Sequence, residues 1–505
     1  MGGSGQLDAI LQDIESAPYG PEVGAIFDYD GTLIAGYSAT EFLKDQVMSG
    51  AMAPKDMIDQ FSAVRNFLAK KSGFSALMTA TANSLKGRSE EWFEETGRRV
   101  YRKSIAGSVY PESRAIVSAH MKKGHTVAII SSATKYQIQP VAEDLGIEHV
   151  LCTELEVENG VFTGGVVRPT CFGEGKRLAA EKLASAEGVN LFETYFYTDS
   201  DDDLELLEAI GHPRILNANR RLQAIADERA WPSYRFTSRG RPELTDIVRT
   251  SMAYGAMPAA FMAAAPVWAL SGKKREMLNT AMGMWADYAS AVTGLNIHVE
   301  GEEHLWSQRP AVFVFNHQSS VDMLIVTKLI RRDVTGVGKK EIANFPVIGP
   351  LMKFADVVLI DRKDSKKAIE AMKPVVDAIR NDRLSVAISP EGTRSVSTHL
   401  GPFKKGAFHI AMQAGVPVVP IVIHNALDSL PRGRNIARPA DISVTVLPPV
   451  ETSKWTAATV GLHANEIREM MAHALDQGAG RLDEDELSLD HWDEPEDDED
   501  EDEDE

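Results

Sequence analysis

The chain has 505 residues, 44% hydrophobic and 25% charged, ordinary proportions for soluble globular protein and enough length for more than one domain. The net charge of −20 is concentrated at one end: Leu482–Glu505 holds seventeen Asp or Glu and no Lys or Arg, which leaves the remainder at −3. A nearly neutral body excludes a bulk-charge argument for nucleic acid, and no nucleic-acid module or internal repeat is visible.

Residues 1–20 open on a Gly-rich stretch without a basic-then-apolar leader, so a flexible N-terminus on a cytoplasmic protein is expected. Cys152 and Cys171 are the only cysteines and lack metal-site spacing, in keeping with a reducing compartment. The first structured element is Val23–Phe27, VGAIF, an unbroken apolar run suited to a strand buried on both faces, and it ends in DYDGTL at Asp28–Leu33. Two carboxylates flanking one residue at a strand end can share a divalent cation, and one of them can attack phosphorus. An exposed acidic loop is the bland alternative.

Residues 34–108 interleave charged and apolar positions at helical spacing, as in Ala39–Val47 and Ser89–Tyr101. His125–Ile130 is a second apolar run, ending in Ser131 and Ser132; Lys176 follows Gly173 and Gly175; Phe196–Thr198 leads into DSDDDL at Asp199–Leu204. Taken singly, Ser131 reads as a helix N-cap, Lys176 as a solvated side chain, and the acidic run as a helix start that offsets the macrodipole.

Together these four pieces resemble the motifs of the haloacid-dehalogenase-like phosphatases, in the phosphoserine phosphatase-like branch, over about Val23–Trp231. The resemblance implies a doubly wound Rossmann-like core at 21–231 with a helical cap at about 34–108. It implies Asp28 as the nucleophile that becomes an aspartyl-phosphate and Asp30 as general acid and then base. Ser131 and Lys176 would hold the phosphoryl oxygens. Asp28, Asp199 and the Asp30 carbonyl would bind Mg²⁺, with Asp203 completing the metal site or orienting Lys176. The sequence departs from phosphoserine phosphatases at Tyr37, where they carry the acid that reads the substrate's amino group; Glu41 lies one helical turn further, and substrate identity stays open.

Trp231–Pro242 has two Pro, a Gly and no clear period, so 232–250 is expected to be an exposed linker. Ser251–Gly272 then runs twenty-two residues without a charge, but eight Ala with Gly255, Pro258 and Pro266 argue against a stable membrane span. Residues 251–290 are expected to hold a Pro-interrupted helical pair, Met252–Leu270, lying on a bilayer surface with Lys273, Lys274 and Arg275 among the headgroups, and then a further helix, Met277–Thr293. A buried inter-domain helix is the alternative reading of the first segment.

The second half alternates apolar runs (Ala311–Phe315, Val357–Ile360, Leu384–Ile388, Val418–Ile423, Ile442–Leu447) with helical stretches, which gives a second α/β domain at 291–480. The first run delivers His317 and, five residues later, Asp322. Five helical steps of about 100° leave two side chains roughly 140° apart, so His317 sits before a helix starting near Ser319 and Asp322 turns back to one ring nitrogen. An N-cap at Ser319 or Ser320 explains the same residues blandly. SPEGTRS at Ser389–Ser395 gathers Glu391, Gly392, Thr393 and Arg394 in one turn whose guanidinium suits a phosphate dianion.

NHQSSVD, LIDR at Leu359–Arg362, PEGTRS and VPVVPIV at Val416–Val422 resemble, in order, the four blocks of the glycerolipid acyltransferases, 1-acylglycerol-3-phosphate acyltransferases among them, over roughly Leu295–Pro448. The resemblance implies His317 as general base on a lysophosphatidate hydroxyl, Asp322 holding its tautomer, and an acyl-CoA or acyl-carrier-protein thioester as donor. Arg394, Arg362 and Lys339 or Lys340 would neutralise the phosphate, and Glu391 would position the turn or the glycerol backbone; for the lysines a solvated face is the plainer reading.

The whole reads as a fusion of a Mg²⁺ phosphomonoesterase and a membrane-associated acyltransferase, ending in a disordered acidic tail at 481–505. The alternatives are a non-catalytic phosphatase-like module for dimerisation or regulation, and a different glycerolipid acceptor. Expected partners are lysophosphatidate, the acyl donor and the cytoplasmic face of a membrane; a homodimer stays open.

Overall fold

A computed structural model describes residues 3–50, 62, 63, 65, 73–344, 348–360, 365–395, 399–431 and 433–475. It divides into two units, Met1–Pro242 and Glu243–Glu505. The acidic tail and Arg362 lie outside the described residues, as does the side chain of Lys339.

The first unit is built on a parallel sheet of β1 (Val23–Phe27), β2 (Thr126–Thr134), β3 (His149–Thr153), β6 (Asn190–Thr198), β7 (His212–Leu216) and β8 (Ser233–Tyr234), in the order β3-β2-β1-β6-β7-β8. All five residues of β1 are buried, as its unbroken apolar sequence requires of a central strand covered on both faces. Each fully buried Val or Ile contributes about 1.5–3 kcal/mol, which offsets the entropy of ordering the strand. Strand order reverses around β1, whose neighbours are β2 and β6 (Phe27 opposite Ile129 and Tyr197), so the carboxyl ends of these three strands open a crevice at the switch point.

The cap between β1 and β2 includes helices Ser38–Met48, Phe74–Leu85 and Glu90–Val100. The hairpin β4 (Leu155–Glu158) and β5 (Val161–Val166) completes it from further along the chain: Phe162 packs on Phe93 and Tyr136, and Gly87 N–H donates to Phe162 O at 2.9 Å. Asn159 and Gly160, both at positive φ (52° and 74°), form the tight turn between its strands, a hairpin signal that the sequence does carry, and pairing with the cap adds to its order.

Two sequence expectations are corrected here. Residues 3–16 form a helix rather than a flexible end: Ile10 and Ile14, one turn apart, are buried, and Asp13 pairs with buried Arg214 at 2.6 Å. The expected linker is docked: Tyr234 lies in β8, Phe236 is buried against Tyr110, and Asn217 accepts from the Phe236 N–H at 2.8 Å. Tyr234 and Phe236, two residues apart, gave this Pro-containing stretch something to bury.

The second unit holds a mixed sheet in the order β12-β11-β13-β10-β14-β15-β9. Its strands are β9 (Leu295–Glu300), β10 (Val312–Phe315), β11 (Val334–Lys339), β12 (Val358–Ile360), β13 (Ser385–Ile388), β14 (Val418–Ile423) and β15 (Ala440–Val446), with only β14 and β15 antiparallel. Buried apolar side chains cover both faces, Phe313, Ile325 and Ile421 on one and Val314, Phe408 and Ile467 on the other.

Helix Leu244–Ser271 is continuous through Pro258 and Pro266, contrary to the interrupted pair expected, and packs against helix Lys274–Thr293. Each proline removes one intrahelical hydrogen bond, and the Ala-rich turns around them, buried at Ala253, Ala260 and Ala264, keep the helix together. Lys274 and Arg275, expected among headgroups, instead pair with Asp356 at 2.8 and 3.6 Å.

Candidate active sites

In the first unit Asp28 leaves β1 with its N–H donated to Tyr197 O at 2.9 Å, which holds it beside the end of β6. Its Oδ1 lies 2.8 Å from Lys176 Nζ, and the same ammonium reaches Asp203 Oδ1 at 2.8 Å. Asp203 Oδ2 also accepts from Thr198 Oγ1 at 2.6 Å, which fixes this carboxylate against Lys176. Burial pulls the Lys176 pKa down, but Asp203 and Asp28 outweigh it and hold the ammonium above the ordinary lysine range. Gly175 is obligatory at the start of helix Glu174–Glu187, which carries Lys176, since a Cβ there would come within 1.9 Å of Thr170 O. Ser131 is buried near the end of β2.

Asp199 follows β6 and presses against the DYDG turn: a Cβ on Gly31, whose φ is +77°, would meet Asp199 Oδ2 at 2.2 Å. Burial pushes the Asp199 carboxyl well above the carboxylate range, reinforced by the charges of Asp28, Asp203 and Asp30, with Lys176 opposing. Asp30 is turned toward the cap, where Ser38 N–H and Oγ donate to Oδ1 and Oδ2 at 2.7 and 3.1 Å.

Among the described residues no three His, Cys, Asp or Glu side chains form a complete metal cage. The pocket nevertheless sets four carboxylates against one ammonium, and that surplus of hard, anionic oxygen fits a divalent cation held by Asp28, Asp199 and a backbone carbonyl. Asp30 and Asp203 spend their carboxylates elsewhere.

In the second unit β10 and β13 are adjacent and parallel, with Val314 opposite Ile388, so the residues beyond each strand emerge side by side. Asn316 locks the first exit, donating to Ile423 O at 2.8 Å and accepting from Ile423 N at 2.7 Å. His317 Nδ1 then lies 2.9 Å from Asp322 Oδ2, and the imidazole is one-fifth exposed while Asp322 is fully buried. The helix starts at Asp322 itself, with Val321 rather than a serine as N-cap. Asp322 Oδ2 also accepts the N–H groups of Gln318 and Ser319, both at 2.8 Å.

Glu391 Oε1 accepts His317 N–H at 2.8 Å and Oε2 accepts Gly401 N–H at 3.0 Å, which ties the histidine to two loops. Burial, with Asp322 adding, lifts its carboxyl to about 7 against the opposing backbone bonds and Arg468. Arg394 Nη1 donates to Ser320 Oγ at 2.6 Å, and Ser395 N–H to His317 O at 2.7 Å, so the guanidinium and the imidazole share one rim. Gly392 has φ +74°, and a Cβ there would meet the Lys404 side chain at 3.1 Å. Thr393 and Lys340 are exposed; Lys340 follows β11, which leaves the sheet on the same edge as His317.

Sequence reasoning assigned no role to Asn316, Ser38, Gln137 or Lys404. Asn316 stands inside NHQSSVD and was within reach. Ser38 and Gln137 are ninety-nine residues apart and carry no signal.

A family model described as haloacid dehalogenase-like hydrolase matches residues 25–208, and one described as Acyltransferase matches residues 296–424. A 1-acyl-sn-glycerol-3-phosphate acyltransferase of Limnanthes alba is 35% identical over 182 residues, 36% of this chain and 64% of that protein, so the chain spans less than two thirds of its length. The mouse 1-acyl-sn-glycerol-3-phosphate acyltransferase alpha is 33% identical over 209 residues, 41% of this chain and 73% of the relative. A probable phosphatase of Mycobacterium tuberculosis is 31% identical over 216 residues, 42% of this chain and 75% of the relative.

Proposed function

The chain belongs to the haloacid dehalogenase-like hydrolases through its first unit and to the 1-acyl-sn-glycerol-3-phosphate acyltransferases through its second, and from that premise we propose that it is an enzyme with two activities. The second unit transfers an acyl group from a CoA or carrier-protein thioester to lysophosphatidate, giving phosphatidate. The observation that carries this reading is the His317–Asp322 contact beside Arg394. A carboxylate accepting from Nδ1–H leaves the lone pair on Nε2, which takes the proton of the acceptor hydroxyl as its oxygen attacks the thioester carbonyl. The C–S bond breaks, and the thiolate recovers the proton from the imidazolium. Arg394 binds the acceptor's phosphate; Glu391, engaged by two backbone N–H groups, positions His317 and the turn rather than touching substrate. Acyl transfer to lysophosphatidate by the intact protein, lost in His317→Ala, tests the reading; undiminished transfer by the variant rejects it.

The first unit hydrolyses a phosphomonoester. Asp28 attacks phosphorus, Lys176 and Ser131 hold the phosphoryl oxygens, and Asp30 protonates the leaving oxygen before deprotonating water. Asp28, Asp199 and the Asp30 carbonyl would hold Mg²⁺, which would supply charge neutralisation for the dianionic substrate. Phosphate release from a panel of phosphomonoesters with Mg²⁺ should disappear in Asp28→Asn, and equal rates from both proteins would remove the phosphatase.

Helix Leu244–Ser271 meets the length and hydropathy needed to cross a bilayer, yet only 22% of its apolar window is buried. With Met262, Trp268 and Leu270 facing outward and a lipid as acceptor, it lies at the cytoplasmic membrane surface as a monotopic anchor.

A further inference from the structure

We propose that Gln137, acting through Ser38, is the positioning residue that aims Asp30 at the leaving group in the first unit, which rests on the reading of Asp30 as proton donor given above. Gln137 Oε1 accepts two hydrogen bonds, from Thr134 N and Thr134 Oγ1, both at 2.9 Å. With the amide oxygen committed to two donors, the NH₂ must face the other way, and Nε2 donates to Ser38 Oγ at 3.0 Å. The hydroxyl, having accepted that bond, directs its own proton to Asp30 Oδ2 at 3.1 Å, while Ser38 N–H holds Oδ1 at 2.7 Å. The direction of donation is thereby set over the whole relay, from Thr134 at the end of β2 to Asp30.

The relay joins parts that sequence separates. Ser38 is fully buried and opens the first cap helix, Ser38–Met48; Gln137 is in helix Lys135–Leu145 of the core, and its carbonyl is itself held by Tyr29 OH at 2.8 Å. Removing Gln137 frees the Ser38 hydroxyl to rotate, so Asp30 keeps one bond and loses its fixed rotamer. Lys176, Asp28 and Asp203 make no contact with this relay in the bonds described and keep their geometry.

The consequence falls on one half of the chemistry. As the Asp28 oxygen–phosphorus bond forms, the bond from phosphorus to the leaving oxygen breaks and the Asp30 proton moves to that oxygen. A nitrophenolate leaves without the proton; a phenolate of higher pKa depends on it. Gln137→Ala in the full chain with Mg²⁺ should therefore lower kcat/KM on phenyl phosphate about tenfold more than on p-nitrophenyl phosphate. Beryllium trifluoride, which reports the Asp28 site without any leaving group, should bind the variant within about threefold of the wild type by calorimetry. Gln137→Met, of similar length but unable to donate, should repeat both results, and Ser38→Ala combined with Gln137→Ala should cost little more than either alone. Equal losses on the two esters, no loss on either, or weakened beryllium trifluoride binding would overturn the relay. A wild-type chain inert toward both esters removes the phosphatase reading itself, and the relay with it.

Discussion

Asp322 Oδ2 accepts His317 Nδ1 at 2.9 Å while also accepting the N–H groups of Gln318 and Ser319 at 2.8 Å, so one carboxylate oxygen orients the imidazole and ties down the loop that leads into its own helix. Three donors converge on Oδ2 of the fully buried carboxylate, and they hold the His317 ring against the loop backbone. Asp322→Asn keeps the volume but removes the charge that selects the Nδ1–H tautomer. We expect kcat for acyl transfer to fall by about two orders of magnitude, with KM changed only a few-fold, in steady-state assays.

Arg394 tests the assignment of the acceptor's phosphate. Replacing its planar fork by a point charge, Arg394→Lys, should raise KM for lysophosphatidate about tenfold and leave KM for the thioester donor within about twofold. A rise in the donor's KM instead would move the guanidinium to the other substrate.

Glu391 makes the second unit sensitive to pH. Its folded pKa of about 7 lies above the unfolded value near 4.3, so the folded protein holds a proton that the unfolded chain has lost. The stability contribution is complete below the unfolded pKa and is lost as pH rises to 7, by roughly 4 kcal/mol at about 1.4 kcal/mol per pH unit. Urea midpoints between pH 4.5 and 7.5 should show this slope in the wild type and a flatter one in Glu391→Gln.

The buried pair His120 and His125 gives the first unit the opposite dependence. Their Nδ1 atoms are 2.8 Å apart, and His120 Nε2 is 2.8 Å from Tyr197 OH. Burial, then the neighbouring charges of His125 and Arg214, lowers His120 to about 3, and burial lowers His125 as well. The unfolded chain binds protons first, so stability is full above about 6.5 and lost as pH falls toward 3. His120→Phe should cost about 1–3 kcal/mol at pH 7 through the polar atoms it leaves unpaired, yet lose less stability than the wild type on going to pH 5.

Met262 and Leu270, 71% and 90% exposed, should carry membrane binding if the helix surface docks on lipid. Met262→Glu with Leu270→Glu should abolish co-flotation with anionic vesicles while leaving the circular dichroism spectrum unchanged. Flotation unaffected by both changes would place the membrane contact elsewhere.

What the sequence determined by itself was the set of strand–loop–helix cassettes. VGAIF before DYDGTL and VFVF before NHQSSVD are short, locally encoded and strongly patterned, so the positions of Asp28 and His317 just beyond strand ends, and of Asp322 at the following helix start, followed from burial and helical geometry alone. Strands β9 and β11 escaped because LNIHVE lies at a sheet edge with alternating exposure and VTGVGK is interrupted by glycine, so each depends on its neighbour for order. Only the tertiary structure decided that helix Leu244–Ser271 runs through two prolines, because packing along its Ala face outweighs a local propensity. It also decided which groups surround the reactive ones. Glu391 reaches the backbone of His317, and Gln137 reaches Asp30 through Ser38, by way of parallel strands and a folded-back cap. Hydrogen bonds across such separations leave no periodicity in the chain, since what brings the partners together is the burial of everything between them.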